Sequence, residues 1–192
     1  MLRGNIKITG NTFVDDSILI AVSTAIICLL GPITFKLDSG TTHFLQRLLV
    51  VWFAMVFGSR IGLISVLVYL ILGGLGFNVF IDASSGWAEF IGDKGGYLLS
   101  FPIAAYLVGV AGEYFVRRNY FQKLKFFISA LILFSSQVVI EVLGSIRAQA
   151  SIPSTPSPIN SINNEMPGIL VKTAIGTLLI VILIRGLSRS KS

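Results

Sequence analysis

Lys172 is the residue whose position most strongly suggests chemistry. It lies five residues into the last apolar run of the chain, which begins with Pro167-Gly168 and ends near Ile184. A charged side chain at the centre of a membrane helix costs about 2.5–3.5 kcal/mol on insertion scales. A lysine near the end of a helix can instead extend its amine to the membrane surface at lower cost. The position is therefore typical either of a ligand-binding amine or of a lysine that reaches the interface.

Other polar and aromatic side chains occur in segments that we expect to meet at one face of a helix bundle, whose helices are predicted below. Together with Lys172 they are Lys36, Gln46, Arg47, Asn78, Asp82, Trp87, Tyr97 and Glu165. Cations can neutralise a carboxylate, amides and hydroxyls can satisfy a polar ring, and aromatic rings can cover an apolar chain. The set predicts a site for a small amphipathic ligand, and a solvated rim is the alternative interpretation.

Residue patterns typical of enzymes and metal sites are sparse. His43 is the only histidine, Cys28 is the only cysteine, and no GxxxxGK[ST] phosphate loop occurs. Neither a catalytic triad nor a metal cluster can be assembled from single residues of these types. We therefore expect no catalytic residues, no metal site and no cofactor. Any ATP that drives this protein would be bound by another polypeptide.

The elements that must position these residues are membrane helices. Of the 192 residues, 54% are hydrophobic and only 12% are charged, whereas soluble domains carry about 25% charged residues. A spanning helix needs about 20 apolar residues, so this length accommodates five or six spans. The composition predicts an all-α integral membrane protein with a single membrane domain, residues 1–192.

Six apolar runs are candidate spans of this domain. They cover residues 17–33, 45–57, 61–75, 96–116, 126–146 and 167–184. Residues 77–95 are too polar to span and too aromatic for an idle linker, and we predict a structured or re-entrant loop packed on protein. Residues 147–166 are rich in Ser, Asn and Pro, which predicts a loop. The expected fold is a bundle of six transmembrane helices with a substrate pocket near the outer face.

The lysines and arginines predict the orientation of this bundle. With six spans and an inner N-terminus, ten of the fifteen lie on the inner side: Arg3, Lys7, Arg60, Arg117, Arg118, Lys123, Lys125, Arg185, Arg189 and Lys191. The outer side has Lys36, Arg47, Lys94, Arg147 and Lys172. We expect a multi-pass protein of the bacterial cytoplasmic membrane with both termini in the cytoplasm. The net charge of +6 then belongs to loops and does not indicate nucleic-acid binding.

Ser17, Ala21 and Ala25 follow one another at four-residue spacing in the first run. Small residues with this period make a flat helix face that another helix can approach closely. The stripe predicts a helix-docking face, for either an internal helix or another subunit.

Several short motifs occur in a fixed order over roughly sixty residues. They are Phe44-Leu45-Gln46, similar to TLQ; Gly58-Ser59-Arg60-Ile61-Gly62, similar to GPRLG; Tyr69-Leu70-Ile71-Leu72-Gly73-Gly74-Leu75-Gly76 with Val79-Phe80, similar to YLLLGxLGxPVF; and Gly92-Asp93-Lys94-Gly95-Gly96-Tyr97-Leu98-Leu99-Ser100-Phe101-Pro102, similar to GPTGGYLxGFP. In this order they resemble the BioY family, the biotin-binding S-components of energy-coupling-factor (ECF) transporters. The sixth run opens with Pro167-Gly168-Ile169-Leu170-Val171-Lys172, which is similar to the family's PGDLxK.

The resemblance implies a substrate-binding subunit that takes up biotin and is not an enzyme. Its partners would be a transmembrane coupling subunit, two ATPase subunits and the lipid bilayer. The substrate-binding residues would be Lys172, Tyr97, Gln46, Asn78 and Asp82. The coupling subunit would dock on Ser17, Ala21 and Ala25.

The sequence departs from the family pattern at three positions. Ile169 replaces the Asp of PGDLxK, Asn78 replaces a proline, and Asp82 stands where glycine is usual. Because the missing Asp would leave Lys172 without its counter-charge, our hypothesis is that Asp82 or Glu165 supplies the acidic group. The alternatives are an S-component for another small vitamin, or a structural subunit of a membrane complex without a ligand.

Overall fold

The structure is a computed structural model that describes residues 9–36, 42–117, 120–152 and 154–189. Arg3, Lys7, Arg118 and Lys191, which are among the predicted inner-side charges, lie outside these ranges. The described residues contain seven α-helices: α1 (Thr12–Leu30), α2 (Gln46–Phe57), α3 (Ser59–Gly74), α4 (Ala88–Ile91), α5 (Gly95–Arg117), α6 (Tyr120–Ser151) and α7 (Pro158–Arg189). Two short antiparallel strands, β1 (Thr34–Lys36) and β2 (Thr42–Phe44), connect α1 to α2 with Thr34 opposite Phe44.

Four of these helices are long and apolar enough to cross a membrane. Their qualifying segments are Thr12–Leu30, Gly95–Phe115, Phe126–Ser151 and Pro158–Leu183. The predicted all-α membrane architecture is confirmed, but the described part has seven helices and not six. The additional helix, α4, has four residues and lies in the segment predicted as a structured loop. Because α2 and α3 are shorter than the other apolar helices, the number of spans stays a prediction.

Helix α2 forms the centre of the bundle. It packs against α1, α3, α5, α6 and α7, and its apolar side chains from Val50 to Val56 are almost all buried. A helix that is hydrophobic on every side is stable only when it is enclosed, which explains a segment of twelve residues without a polar face. The first turn of α2 carries Gln46 and Arg47, which are buried as well.

The turn between α2 and α3 is the single residue Gly58. Its φ of 108° lies in a region that side chains with a Cβ rarely adopt. Directly after it, the backbone N–H and the hydroxyl of Ser59 both donate to Glu113 near the end of α5, at 2.9 Å each. The start of α3 and the last turns of α5 therefore meet at one end of the bundle.

The loop predicted for residues 147–166 is largely helical, so this prediction was wrong. Helix α6 continues to Ser151 and α7 begins at Pro158. Ser157 is followed by a proline at the first helical position, a typical helix start, and Ser157 accepts bonds from the backbone N–H groups of Asn160 and Ser161. Each of these 32-residue helices is about 48 Å long, which exceeds the roughly 30 Å hydrocarbon core.

Helices α5 and α6 approach closely at Gly144. A Cβ added to Gly144 would overlap the ring of Tyr97 on α5. The missing side chain thus makes room for an aromatic ring between the two helices, and it determines where the Tyr97 hydroxyl lies.

We expect Gly144→Ala to destabilise the protein by about 1–3 kcal/mol, because overfilling a packed interface forces side chains to shift. The melting temperature in detergent measures the effect. Gly92→Ala is the matched control, since a Cβ there would meet only the Ala88 carbonyl at an ordinary 3.6 Å. Equal melting temperatures for the two variants would contradict this account of the α5–α6 contact.

Candidate functional site

A buried ion pair joins α2 to α6. The guanidinium of Arg47 donates to Oε2 of Glu141, and the two side chains are only 5% and 1% exposed. The guanidinium also lies over the ring of Tyr97, with its central carbon 4.5 Å from the ring centroid. Such a cation–π contact is strengthened where water is excluded.

The second oxygen of Glu141 is also occupied. It accepts a hydrogen bond from the Tyr97 hydroxyl at 3.1 Å and one from the Ser161 hydroxyl at 2.6 Å. Because Arg47, Tyr97 and Ser161 lie on α2, α5 and α7, one carboxylate on α6 holds three other helices. These contacts lie at the end of the bundle where α2, α5 and α7 begin, which we call the cluster end.

Lys172 and Glu165 of α7 complete this group. The Glu165 carboxylate lies 3.6 Å from Nζ of Lys172 and 3.4 Å from the Arg47 guanidinium. Lys172 is fully buried, and its ammonium donates no hydrogen bond to any described residue. Arg47, Glu141, Glu165 and Lys172, here called the charge cluster, carry two positive and two negative charges and are neutral as a set.

The structure brings together two of the five predicted substrate-binding residues, Lys172 and Tyr97. Tyr97 reaches the charge cluster through Glu141 and Arg47. Gln46 lies beside Arg47 in sequence, but its amide donates to the hydroxyl of Tyr69, which donates in turn to the Val79 carbonyl at 3.2 Å. The binding role of each of the five stays a prediction.

Asn78 and Asp82 lie in the segment between α3 and α4. Asn78 is exposed and accepts a hydrogen bond from Ser85 at 2.8 Å. Asp82 is 69% exposed and lies 3.9 Å from the amine of Lys94, which is also 3.8 Å from Glu89. None of these contacts involves the charge cluster.

This arrangement distinguishes the two candidates for the missing acidic group. Glu165 lies next to Lys172, whereas the ion pair of Asp82 is with Lys94. Ile169, at the position of the family Asp, is buried. Residues four apart share a helix face, so Glu165 presents its carboxylate one turn before Ile169 on the same side of α7.

Sequence reasoning did not assign Glu141 and Ser161 to the site. Glu141 could have been found from the sequence, since an acidic residue inside an apolar run must face protein and find a partner. Ser161 could not, because it lay in a segment predicted as loop. Arg47 was recognised as an outer cation, but its two carboxylate partners are distant in sequence and could not be inferred.

Two cavities between the described helices lie away from the charge cluster. One, of about 650 Å³, lies between α1 and α3 and is lined by Ser17, Ala21 and Ala25 among others. Another, of about 320 Å³, is an apolar groove between α5 and α6, with Val108 and Ile132 in its wall. The predicted pocket near the outer face stays a prediction.

The charge cluster can bind a neutral polar group. Lys172 and Arg47 are donors, and Glu165 is an acceptor. A ligand that presents a carbonyl beside N–H groups would match both kinds of partner. Among the described residues, no group of three His, Cys, Asp or Glu side chains could hold a metal ion.

Comparison with known proteins identifies the family. A model of the BioY family matches residues 5–190 of the chain. The chain belongs to the BioY family. The family predicted from the sequence motifs is thus confirmed.

Named members of the BioY family are similar to this chain over part of its length. A probable biotin transporter BioY of Pyrococcus horikoshii is 36% identical over 92 residues, which are 48% of this chain and 52% of that protein. The biotin transporter BioY of Thermotoga maritima is 34% identical over 95 residues, 50% and 52% of the two chains. These alignments span about half the length of the curated relatives.

A solved structure has the same fold over almost the entire BioY-family chain. It is the S-component for biotin from an ECF-type ABC transporter, with a TM-score of 0.75 and 24% identity, covering 93% of this chain and 95% of that one. At this identity the similarity establishes the fold.

We expect Arg47→Met in this BioY-family protein to be strongly destabilising, by about 3–5 kcal/mol, because it leaves buried carboxylates without their cation. The double variant Arg47→Met/Glu141→Leu removes the ion pair as a unit and should recover most of the loss. Melting temperatures of both variants in detergent test this. A double variant no more stable than the single one would contradict the pairing.

Proposed function

We propose that the protein is the S-component of an ECF-type importer and that it captures biotin at the cluster end of the bundle. One relative is named a biotin transporter and another a probable biotin transporter, and the fold is that of an S-component for biotin. The observation that carries the proposal is the buried ammonium of Lys172, which uses none of its hydrogen-bond donors on described residues.

A buried lysine in this state is costly unless a ligand uses it. Burying a charge is tolerable only with both a counter-charge and hydrogen bonds. Glu165 supplies the counter-charge at 3.6 Å, but the donors of the ammonium remain available. A ligand carbonyl adjacent to Lys172 would complete its bonding.

The neutrality of the charge cluster favours the ring of biotin over its acid group. The ureido ring has a carbonyl, to which Lys172 or Arg47 can donate a hydrogen bond. It also has two N–H groups, one of which can donate to Glu165. A ligand carboxylate would gain little there, because each cation already faces a carboxylate. The ring therefore enters the bundle, and the acid-bearing chain extends toward the surface.

The partner surface we assign is the groove between α1 and α3. Ser17, Ala21 and Ala25 are exposed and line it, and such small residues let another helix approach closely. A transmembrane coupling subunit carrying two ATPase subunits would dock there. The protein would lie in the bacterial cytoplasmic membrane with the cluster end outside and both termini inside.

Biotin binding to the purified protein, measured by calorimetry in detergent, tests the ligand assignment. We expect Lys172→Met and Glu165→Gln each to weaken binding by about 10- to 100-fold, as for the loss of a hydrogen bond to a charged group. The matched control is Asp82→Asn, which changes an exposed carboxylate paired with Lys94. Its affinity should stay close to that of the unmodified protein.

Three outcomes would overturn parts of this assignment. Stabilisation by another vitamin but not by biotin would identify a different substrate, because a ligand raises the melting temperature only if it binds the folded state. No response to any vitamin would favour a structural subunit. Equal losses in Asp82→Asn and Glu165→Gln would remove Glu165 from its proposed role.

Ala21→Trp tests the docking face. A large ring on the small-residue stripe should block approach of the coupling subunit, so biotin uptake by cells should be lost while binding to the purified protein is retained. Val22→Trp is the control, since Val22 is exposed on α1 but does not line the groove. Loss of uptake in both variants, or loss of binding in Ala21→Trp, would contradict a specific docking role.

A further inference from the structure

We propose that Glu141 is a positioning residue of the ligand site. It does not contact the ligand but fixes the Arg47 guanidinium and thereby leaves Glu165 available for ligand binding. This inference rests on the proposed function, since it concerns the same site. It assigns different tasks to the two carboxylates of the charge cluster.

The hydrogen-bonding capacity of the Glu141 carboxylate is largely used within the protein. Its two oxygens accept from Arg47, Tyr97 and Ser161, on three different helices. An ionised carboxylate offers about four acceptor positions, so little capacity remains for a ligand. The side chain is also only 1% exposed, which places it behind its partners.

Glu165 differs from Glu141 in distance and exposure. Its ion pairs with Arg47 and Lys172 are 3.4 and 3.6 Å long, and its side chain is 12% exposed. A charge-assisted hydrogen bond is shorter, about 2.7–2.9 Å. These two contacts of Glu165 can therefore give way to bonds to a ligand.

Arg47 connects the two carboxylates, because its guanidinium faces both. The bond to Glu141 and the stack on Tyr97 hold the fork of Arg47 in one orientation. Without the charge of Glu141, Glu165 would still face Arg47 as a carboxylate. A tighter Arg47–Glu165 pair would draw the Glu165 carboxylate away from Lys172 and from the ligand.

A double-mutant cycle measured by biotin affinity tests this coupling. Glu141→Gln preserves the shape and removes the charge, and we expect about a 10-fold or greater loss of affinity. Because Glu165 is already withdrawn in that variant, adding Glu165→Gln should cost several-fold less than it does in the unmodified protein. Residues that share a partner are expected to be non-additive in this way.

The control cycle combines Glu165→Gln with Glu113→Gln. Glu113 is also an acidic residue that accepts hydrogen bonds, but its partner is Ser59, away from the charge cluster. The effects of this pair on biotin affinity should simply multiply. Coupling as large as that between Glu141 and Glu165 would show a general effect of removing charge.

Arg47→Lys provides a second variant in case Glu141→Gln does not fold, which its melting temperature would reveal. Lysine lacks the planar fork that can serve two carboxylates at once. In the Arg47→Lys background the coupling between positions 141 and 165 should disappear while the protein remains folded. If Glu141→Gln does not fold, the coupling is measured with Glu141→Asp in its place.

The outcomes separate this inference from the proposed function. If the unmodified protein does not bind biotin, the proposed function fails. If it binds biotin but the effects at positions 141 and 165 multiply, or the coupling persists without Arg47, the positioning role is wrong while the ligand assignment stands.

Discussion

Mutual neutralisation of buried charges is the constraint on which this molecule depends. Two cations and two carboxylates lie between helices that otherwise expose apolar side chains, and ions in such surroundings must be paired or hydrogen-bonded. The pairs Arg47–Glu141 and Lys172–Glu165, with the cross-contact from Arg47 to Glu165, supply each of these charges with a counter-charge. They also fix the relative positions of α2, α6 and α7. The chemistry that can bind a ligand is thus the chemistry that holds one end of the bundle together.

The short central helix makes this arrangement possible. Helix α2 is enclosed by other helices along its length, so Arg47 in its first turn is buried and not exposed to solvent. A longer α2 would carry that turn beyond its neighbours, and the guanidinium would be hydrated. Gly144 contributes from the opposite side, since its missing Cβ lets Tyr97 stack on Arg47 and reach Glu141.

Much of the fold could be predicted from the sequence because apolar runs and charge depletion are local properties. The all-α membrane class followed from them. The prediction of a loop for residues 147–166 was wrong because it gave the Ser, Asn and Pro content more weight than the helix start at Ser157-Pro158. The pairing of Arg47 with Glu141 joins residues 94 positions apart, and no local pattern specifies such a contact. Family motifs located Tyr97 but gave no indication that its hydroxyl bonds Glu141.

Ile169 stands where the family resemblance implies an aspartate, and Glu165 lies one turn earlier on the same face of α7. A helix repeats its face every three to four residues, so a carboxylate can move by one turn and still meet the same amine when the neighbouring side chains permit. Glu165 has this relation to Ile169, and its longer side chain spans part of the added distance. The shift brings the carboxylate within 3.4 Å of Arg47 as well. An acid placed there is shared between two cations.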